Sequence, residues 1–97
     1  MAMTRKLVER FNPERVILFG SHARGQATAD SDVDLLVVMP LSGTRARTQA
    51  ELRLVLREFP VAVDILVSTP QEFAWRPQVC GTIEHPAALE GRVLHVA

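Results

Sequence analysis

Three short apolar runs, each bounded by polar or turn-forming residues, constrain the fold of this chain most. They are "RVILFG" (Arg15–Gly20), "DVDLLVVM" (Asp32–Met39) and "VAVDILV" (Val61–Val67), and their content of β-branched residues and leucine predicts strands. Helical patterns precede, separate and follow them, so the predicted order is helix, strand, helix, strand, helix, strand, helix. Strands that are almost continuously apolar are typical of a sheet covered by helices. The predicted class is therefore α/β or mixed α+β, with a small central sheet.

The helical segments begin and end at recognisable residues. The first, "MTRKLVERF", ends at "NP", and Ser21 is placed to cap a short helix over residues 22–28. Thr44 is placed to cap a long helix that continues through Glu58. "STPQEFAW" predicts a further helix with proline in its first turn, and "ALEGRVLHVA" predicts a glycine helix stop followed by a short apolar tail.

Length and composition narrow the class of protein. The chain has 97 residues, of which 47% are hydrophobic, which predicts one folded domain over residues 1–97. Eleven basic and eleven acidic residues give zero net charge, so direct nucleic-acid binding is not expected. The single cysteine, Cys80, excludes a disulfide within the chain. Neither a signal peptide nor a membrane span is expected, and the predicted location is the cytoplasm.

Acidic residues interrupt two of the predicted strands. Asp32 and Asp34 are two residues apart and should therefore project from the same face, while Asp64 stands in the middle of the third strand. If the second and third strands are neighbours, the three carboxylates can converge, and their mutual repulsion would call for a cation. Mg²⁺ suits such oxygen ligands best, with Mn²⁺ as the alternative ion.

These aspartates have other interpretations. Asp64 could instead pair with an arginine from a helix, and Asp30 could cap a turn, so Asp30 is left out of the predicted site. The spacing of Asp30, Asp32 and Asp34 also matches the start of an EF-hand loop. That interpretation fails because Leu35 stands where such a loop requires glycine.

The segment "FGSHARG" lies between a strand and a predicted helix. Gly20 permits a close backbone approach, and the Ser21 hydroxyl can bond a phosphate oxygen, so the junction can hold phosphates. Arg24 could neutralise phosphate charge or brace the loop, and the two roles are left open. The simpler alternative is a glycine at the end of a strand followed by a serine cap.

Gly20 and Ser21, then ten residues, then "DVD" resemble the signature of the nucleotidyltransferase superfamily related to DNA polymerase β. The third carboxylate matches Asp64, and the string "GSHARGQATADSDVDLLV" looks most like the minimal nucleotidyltransferases. His22 and Gln26 depart from residues that are frequent in that family, but neither stands at an expected metal ligand. His22 is interpreted as a surface residue rather than as a catalytic base.

The resemblance implies the polymerase β-like fold and a two-metal mechanism. Asp32 and Asp34 would hold two Mg²⁺ ions, Asp64 would hold the ion that activates the attacking hydroxyl, and Gly20 and Ser21 would hold the outgoing phosphates of ATP. The family further implies an antitoxin that transfers AMP to a tyrosine of a HEPN toxin, within a hetero-oligomer. Two alternatives remain, namely a non-catalytic module that neutralises its partner by contact alone and an enzyme that modifies a small molecule.

Overall fold

The computed structural model of the chain describes residues 2–28 and 31–97. Asp30, for which a turn cap was considered, lies outside the described residues. The helices are α1 (Ala2–Phe11), α2 (Arg45–Leu56), α3 (Pro70–Phe73) and α4 (Glu84–Glu90), and the strands are β1 (Arg15–Phe19), β2 (Val33–Val38), β3 (Val63–Ser68) and β4 (Arg92–Val96). Short 3₁₀ turns span Gly20–His22 and Arg76–Gln78.

The four strands form one mixed sheet in the order β3-β2-β1-β4. The β1 strand pairs antiparallel with both β2 and β4, whereas β2 and β3 are parallel and adjacent. The mixed α/β class with a small sheet flanked by helices is therefore confirmed. The second and third strands are neighbours, which is the condition under which their aspartates could converge.

Helices cover both faces of the sheet, as the apolar runs predicted. One core joins α1 and α2 to alternate strand residues such as Leu35 and Ile65, both fully buried. A smaller core on the other face joins Ala87 of α4 to Leu36 and Phe19. Since side chains alternate between faces along a strand, Asp34 and Asp64 belong to the α4 face. No helix in the described part of the chain is long and apolar enough to cross a membrane.

Two sequence predictions about local structure were wrong. The short helix predicted over residues 22–28 is only a 3₁₀ turn at Gly20–His22, and Ser21 lies inside it instead of capping it. Positive φ angles at Gly20 (+74°) and Gly25 (+71°) turn the chain at both ends of this segment, so a longer helix cannot form there. The predicted apolar tail is the strand β4, which sequence periodicity missed because its residues are half-buried or exposed.

Helices α2 and α3 begin as predicted. The Thr44 hydroxyl accepts a hydrogen bond from the Arg47 amide at the start of α2. Thr69 and Glu72 form a reciprocal capping box around Pro70 at the start of α3, which satisfies two backbone donors at that helix end. The final helical region is divided, because a 3₁₀ turn separates the four-residue α3 from α4.

Candidate active site

Asp34 and Asp64 are direct partners in the β2–β3 ladder. Partners in neighbouring strands present their side chains to the same face of the sheet, so the parallel pairing brings these two carboxylates together. Asp32 precedes Asp34 by two residues and is exposed, Asp34 is half-buried, and Asp64 is exposed. The predicted convergence of acidic residues from two strands therefore has a structural basis in the register.

The pKa of Asp34 reflects the crowding of charged groups around this carboxyl. Its pKa is raised above the ordinary value, first because burial disfavours the charged carboxylate, and then because Asp64 and Asp32 repel it. His22 and Arg24 act in the opposite direction on the same pKa. All four neighbours are therefore close enough to influence this carboxyl group, and Asp34 is the centre of the cluster.

Gly20 is fitted to Asp34. The last residue of β1, Phe19, is the ladder partner of Asp34, so the chain leaves β1 directly beside this carboxylate. A Cβ atom at Gly20 would lie 2.2 Å from Asp34 Oδ2, and the φ angle of Gly20 is +74°. Both the close approach and the backbone conformation therefore require glycine at this position.

The loop after Gly20 is held by short-range contacts. The Gly20 carbonyl accepts hydrogen bonds from the Ala23 and Arg24 amides at 3.1 and 3.2 Å. His22 Nε2 lies 3.2 Å from the Ser31 carbonyl oxygen, which ties the two ends of the loop together. His22 is half-buried rather than fully on the surface, and the contact with Ser31 gives it a structural role.

Arg24 is an ion-pair partner of α4. Its Nη1 lies 3.0 Å from Glu90 Oε2 at an exposed position, so this arginine braces the loop against the last helix. It also lowers the pKa of Asp34, which puts its charge within range of the cluster. Of the two roles left open by the sequence, bracing is the one with a visible contact. Glu90 has no motif in the sequence that could have identified it as this partner.

Asp64 has a helical arginine as a neighbour, as the alternative interpretation of this residue expected. Arg53 Nη2, from α2, lies 4.0 Å from Asp64 Oδ1, and the two side chains are 52% and 53% exposed. A pair at this separation and exposure contributes about 0–1 kcal/mol. The weak contact leaves Asp64 free for another partner, and the long-range pairing has no signature in the sequence.

The three aspartates suit a divalent cation by their chemistry, although their side chains do not form a complete metal-binding site. Within the described residues, no three histidine, cysteine, aspartate or glutamate side chains are grouped closely enough to hold a metal ion as they stand. The donors available at Asp32, Asp34 and Asp64 are all carboxylate oxygens, the ligands that Mg²⁺ and Mn²⁺ prefer.

The site thus consists of a tight glycine turn at the end of β1, set against paired aspartates on the parallel strands β2 and β3. The family model of the nucleotidyltransferase domain matches residues 2–88. The chain therefore belongs to the nucleotidyltransferase domain family, as its resemblance indicated.

Individual relatives agree with this assignment. The chain is 40% identical over 55 residues to MJ0141 of Methanocaldococcus jannaschii, named as a candidate protein adenylyltransferase, and the match covers 57% of this chain and 54% of that protein. It is 50% identical over 36 residues to the protein adenylyltransferase MntA of Thermococcus cleftensis, covering 37% of this chain and 36% of that protein. The chain thus spans about half or less of the curated relatives that it matches.

A solved structure shares the fold over nearly the whole chain. It is a crystal structure of a toxin–antitoxin complex with AMP-PNP, similar with a TM-score of 0.59 and 20% sequence identity. The similarity covers 99% of this chain and 73% of the other. At this identity the comparison shows a common fold.

Proposed function

We propose that this chain is a metal-dependent nucleotidyltransferase that acts as an antitoxin by transferring AMP from ATP to a tyrosine of a partner HEPN toxin. The observation that carries the proposal is the pairing of Asp34 with Asp64 beside the close approach of Gly20. The adenylyltransferase names of the curated relatives and the toxin–antitoxin complex among the structural neighbours support it.

In this proposal the carboxylates hold the divalent ions and Asp64 also handles a proton. Bound Mg²⁺ would supply electrostatic stabilisation of the charge that develops at the α-phosphate. Asp32 and Asp34 would hold the ions, since Asp34 lies in β2 and Asp32 directly precedes that strand. Asp64 would accept the proton of the attacking hydroxyl, a role for which its exposure gives access.

The residues after β1 would bind the leaving group. Gly20 and Ser21 would present backbone N–H groups and a hydroxyl to the β- and γ-phosphates, while Arg24 would add positive charge from its position against Glu90. The new bond forms between the acceptor oxygen and the α-phosphorus, and the bond from that phosphorus to the bridging oxygen of pyrophosphate breaks. Pyrophosphate leaves with the electron pair of that bond.

The acceptor is assigned to another molecule. The chain contains no tyrosine, so it cannot modify itself at that residue type. A phenol, with an ordinary pKa of about 10, becomes a better nucleophile at a site that combines divalent ions with a proton acceptor. The accessible positions of Asp32 and Asp64 leave room for a protein segment to reach the cluster, which favours a protein acceptor.

The test is incubation of the chain with ATP, Mg²⁺ and the HEPN protein that we expect to be encoded beside it, followed by intact-mass analysis of that partner. We expect one or more added AMP groups on a tyrosine and loss of the partner's ribonuclease activity. The matched control is Asp34→Asn, which should bind the partner but leave it unmodified and toxic. Protection of cells by Asp34→Asn equal to that by the wild type would favour the non-catalytic binding module instead.

A further inference from the structure

The surface between α1 and α2 carries three adjoining cavities. The largest, of about 370 Å³, is lined by residues that include Arg10, Leu54 and Arg57. A second, of about 260 Å³, shares those three residues, and a third, of about 180 Å³, shares Arg57 and extends to β3. We call this surface the α1–α2 groove and define it by Arg10, Phe11, Arg53, Leu54, Arg57 and Val61.

The groove combines an apolar floor with uncompensated positive charge. Leu54 is 62% exposed and Val61 is 50% exposed, so both present apolar surface that a ligand in the groove could cover. Of the six charged residues that line the cavities, four are basic and two are acidic. The two acidic residues are already engaged, Glu51 with Arg47 and Glu58 with Lys6.

Two of the positive charges in the groove have no acidic partner. Within the described residues, neither Arg10 nor Arg57 has a carboxylate within salt-bridge distance. The groove is therefore locally basic, although the chain as a whole is neutral. An acidic ligand is complementary to it.

The groove leads to the candidate active site around the edge of the sheet. Its residues pack on the face of the sheet that carries Ile65, whereas Asp64 projects from the opposite face. Arg53 lines the cavity beside β3 and also contacts Asp64, so its side chain spans the edge formed by β3. A ligand in the groove would thus pass within one side chain of the proposed proton acceptor.

We infer that the α1–α2 groove docks an acidic amphipathic segment of the acceptor protein, outside the catalytic cluster. This inference rests on the proposed function for the identity of the occupant. Apolar residues of the segment would cover Leu54 and Val61, and its carboxylates would pair with Arg10 and Arg57. A polypeptide fits better than nucleic acid, because the floor is largely aliphatic and the chain has no net positive charge.

The first experiment reverses the charge of the groove. In the full chain, Arg10→Glu combined with Arg57→Glu is compared with Arg92→Glu, an exposed arginine of β4 outside the groove. Initial rates of AMP transfer are measured against the concentration of the HEPN partner. We expect the KM for the acceptor to rise at least 10-fold, with kcat and the KM for ATP within twofold of the wild type. An unchanged acceptor KM, or an equal rise in Arg92→Glu, would overturn the inference.

The second experiment does not depend on catalysis. The photo-cross-linker p-benzoylphenylalanine replaces Leu54, which is 62% exposed, or Leu89 on α4, which is 72% exposed. Each protein is irradiated with the purified partner in the absence of ATP. We expect at least fivefold more adduct from position 54, joined to a partner peptide rich in Asp, Glu and aliphatic residues. Adducts to a second copy of this chain, to a basic peptide, or only in the presence of RNA would overturn it.

The two experiments separate the docking inference from the proposed function. Cross-linking at position 54 without AMP transfer would leave the docking site standing and remove the catalytic proposal. Transfer with an unchanged acceptor KM in the double variant would do the reverse. Arg53 is left unaltered in both experiments, because its contact with Asp64 would mix docking with chemistry.

Discussion

Gly20→Ala is the substitution for which the structure predicts the sharpest separation of activity from stability. A Cβ atom at this position would lie 2.2 Å from Asp34 Oδ2, whereas an ordinary carbon–oxygen contact is about 3.3–3.6 Å. The carboxylate must therefore move by roughly 1 Å. Displacement of a catalytic group by that distance costs on the order of 100-fold in rate, so we expect nucleotidyl transfer to fall by about that factor.

The stability cost of the same substitution comes mainly from the backbone. An alanine held at the φ of +74° found at Gly20 costs roughly 1–2 kcal/mol relative to its preferred conformations. For a domain of this size each kcal/mol shifts Tm by about 4–8 °C, so Gly20→Ala should melt roughly 4–16 °C below the wild type. The Asp34 carboxylate, as the end of a side chain, can rotate away, so the contact adds little to this cost.

Gly25→Ala is the matched control. Gly25 has nearly the same backbone angle, a φ of +71°, but a Cβ there would meet nothing within 4 Å. The two variants should therefore lose similar stability in thermal unfolding followed by circular dichroism, while only Gly20→Ala loses AMP transfer measured with labelled ATP below both melting temperatures. Equal activity in the two variants would refute the argument that the approach of Gly20 to Asp34 shapes the site.

Three further predictions concern the carboxylate cluster, nucleotide binding and the fold. Burial, Asp64 and Asp32 raise the pKa of Asp34. Protonation of the Asp34 carboxyl therefore stabilises the folded state. This stabilisation is fully present at a pH below the ordinary pKa of 3.8 and is lost as the pH rises through the raised pKa. Asp34→Asn should therefore be at least as stable as the wild type in urea at pH 7 and lose that advantage near pH 3.5; lower stability at pH 7 would contradict this. The isolated chain should bind ATP weakly and only with a divalent ion, and calorimetry showing submicromolar binding in EDTA would argue against the site. Glu84→Ala should cost about 2–3 kcal/mol in urea unfolding, because this residue, 2% exposed, accepts hydrogen bonds from Ser68 and Arg76; the exposed Glu90→Ala should cost under about 1 kcal/mol.

The sequence predicted those features that depend on local patterns. Continuous apolar runs located β1, β2 and β3, and the threonines before α2 and α3 marked the starts of those helices, because capping uses residues within one turn. The adjacency of β2 and β3 followed as a condition for Asp34 and Asp64 to meet, and the ladder satisfies it. These features need no knowledge of distant parts of the chain.

The features that the sequence missed depend on long-range contacts. The β4 strand exists because residues near the C-terminus pair with β1, and its exposed side chains give little periodic signal. The buried Glu84 is tolerated only because Ser68 and Arg76 reach it, and the contacts of Arg53 with Asp64 and of Arg24 with Glu90 join different elements. The short turn after Gly20 was mistaken for a helix because a capping serine there says nothing about the backbone angle at Gly25.

The position of β3 at the sheet edge connects the chemistry with the choice of acceptor. Asp64 faces the same side as Asp34, while Val63 and Ile65 face the α1–α2 groove, so one strand serves both surfaces. On the proposed docking, a substitution at Arg10 or Arg57 can therefore weaken acceptor binding without moving the carboxylates, since the sheet separates these side chains from Asp34 and Asp64. The candidate site offers exposed carboxylates and the loop that we propose for phosphates, and an acceptor side chain would need apolar cover from elsewhere. Recognition of the acceptor is thus better supplied by the groove, where Leu54 and Val61 are exposed, than by the catalytic cluster.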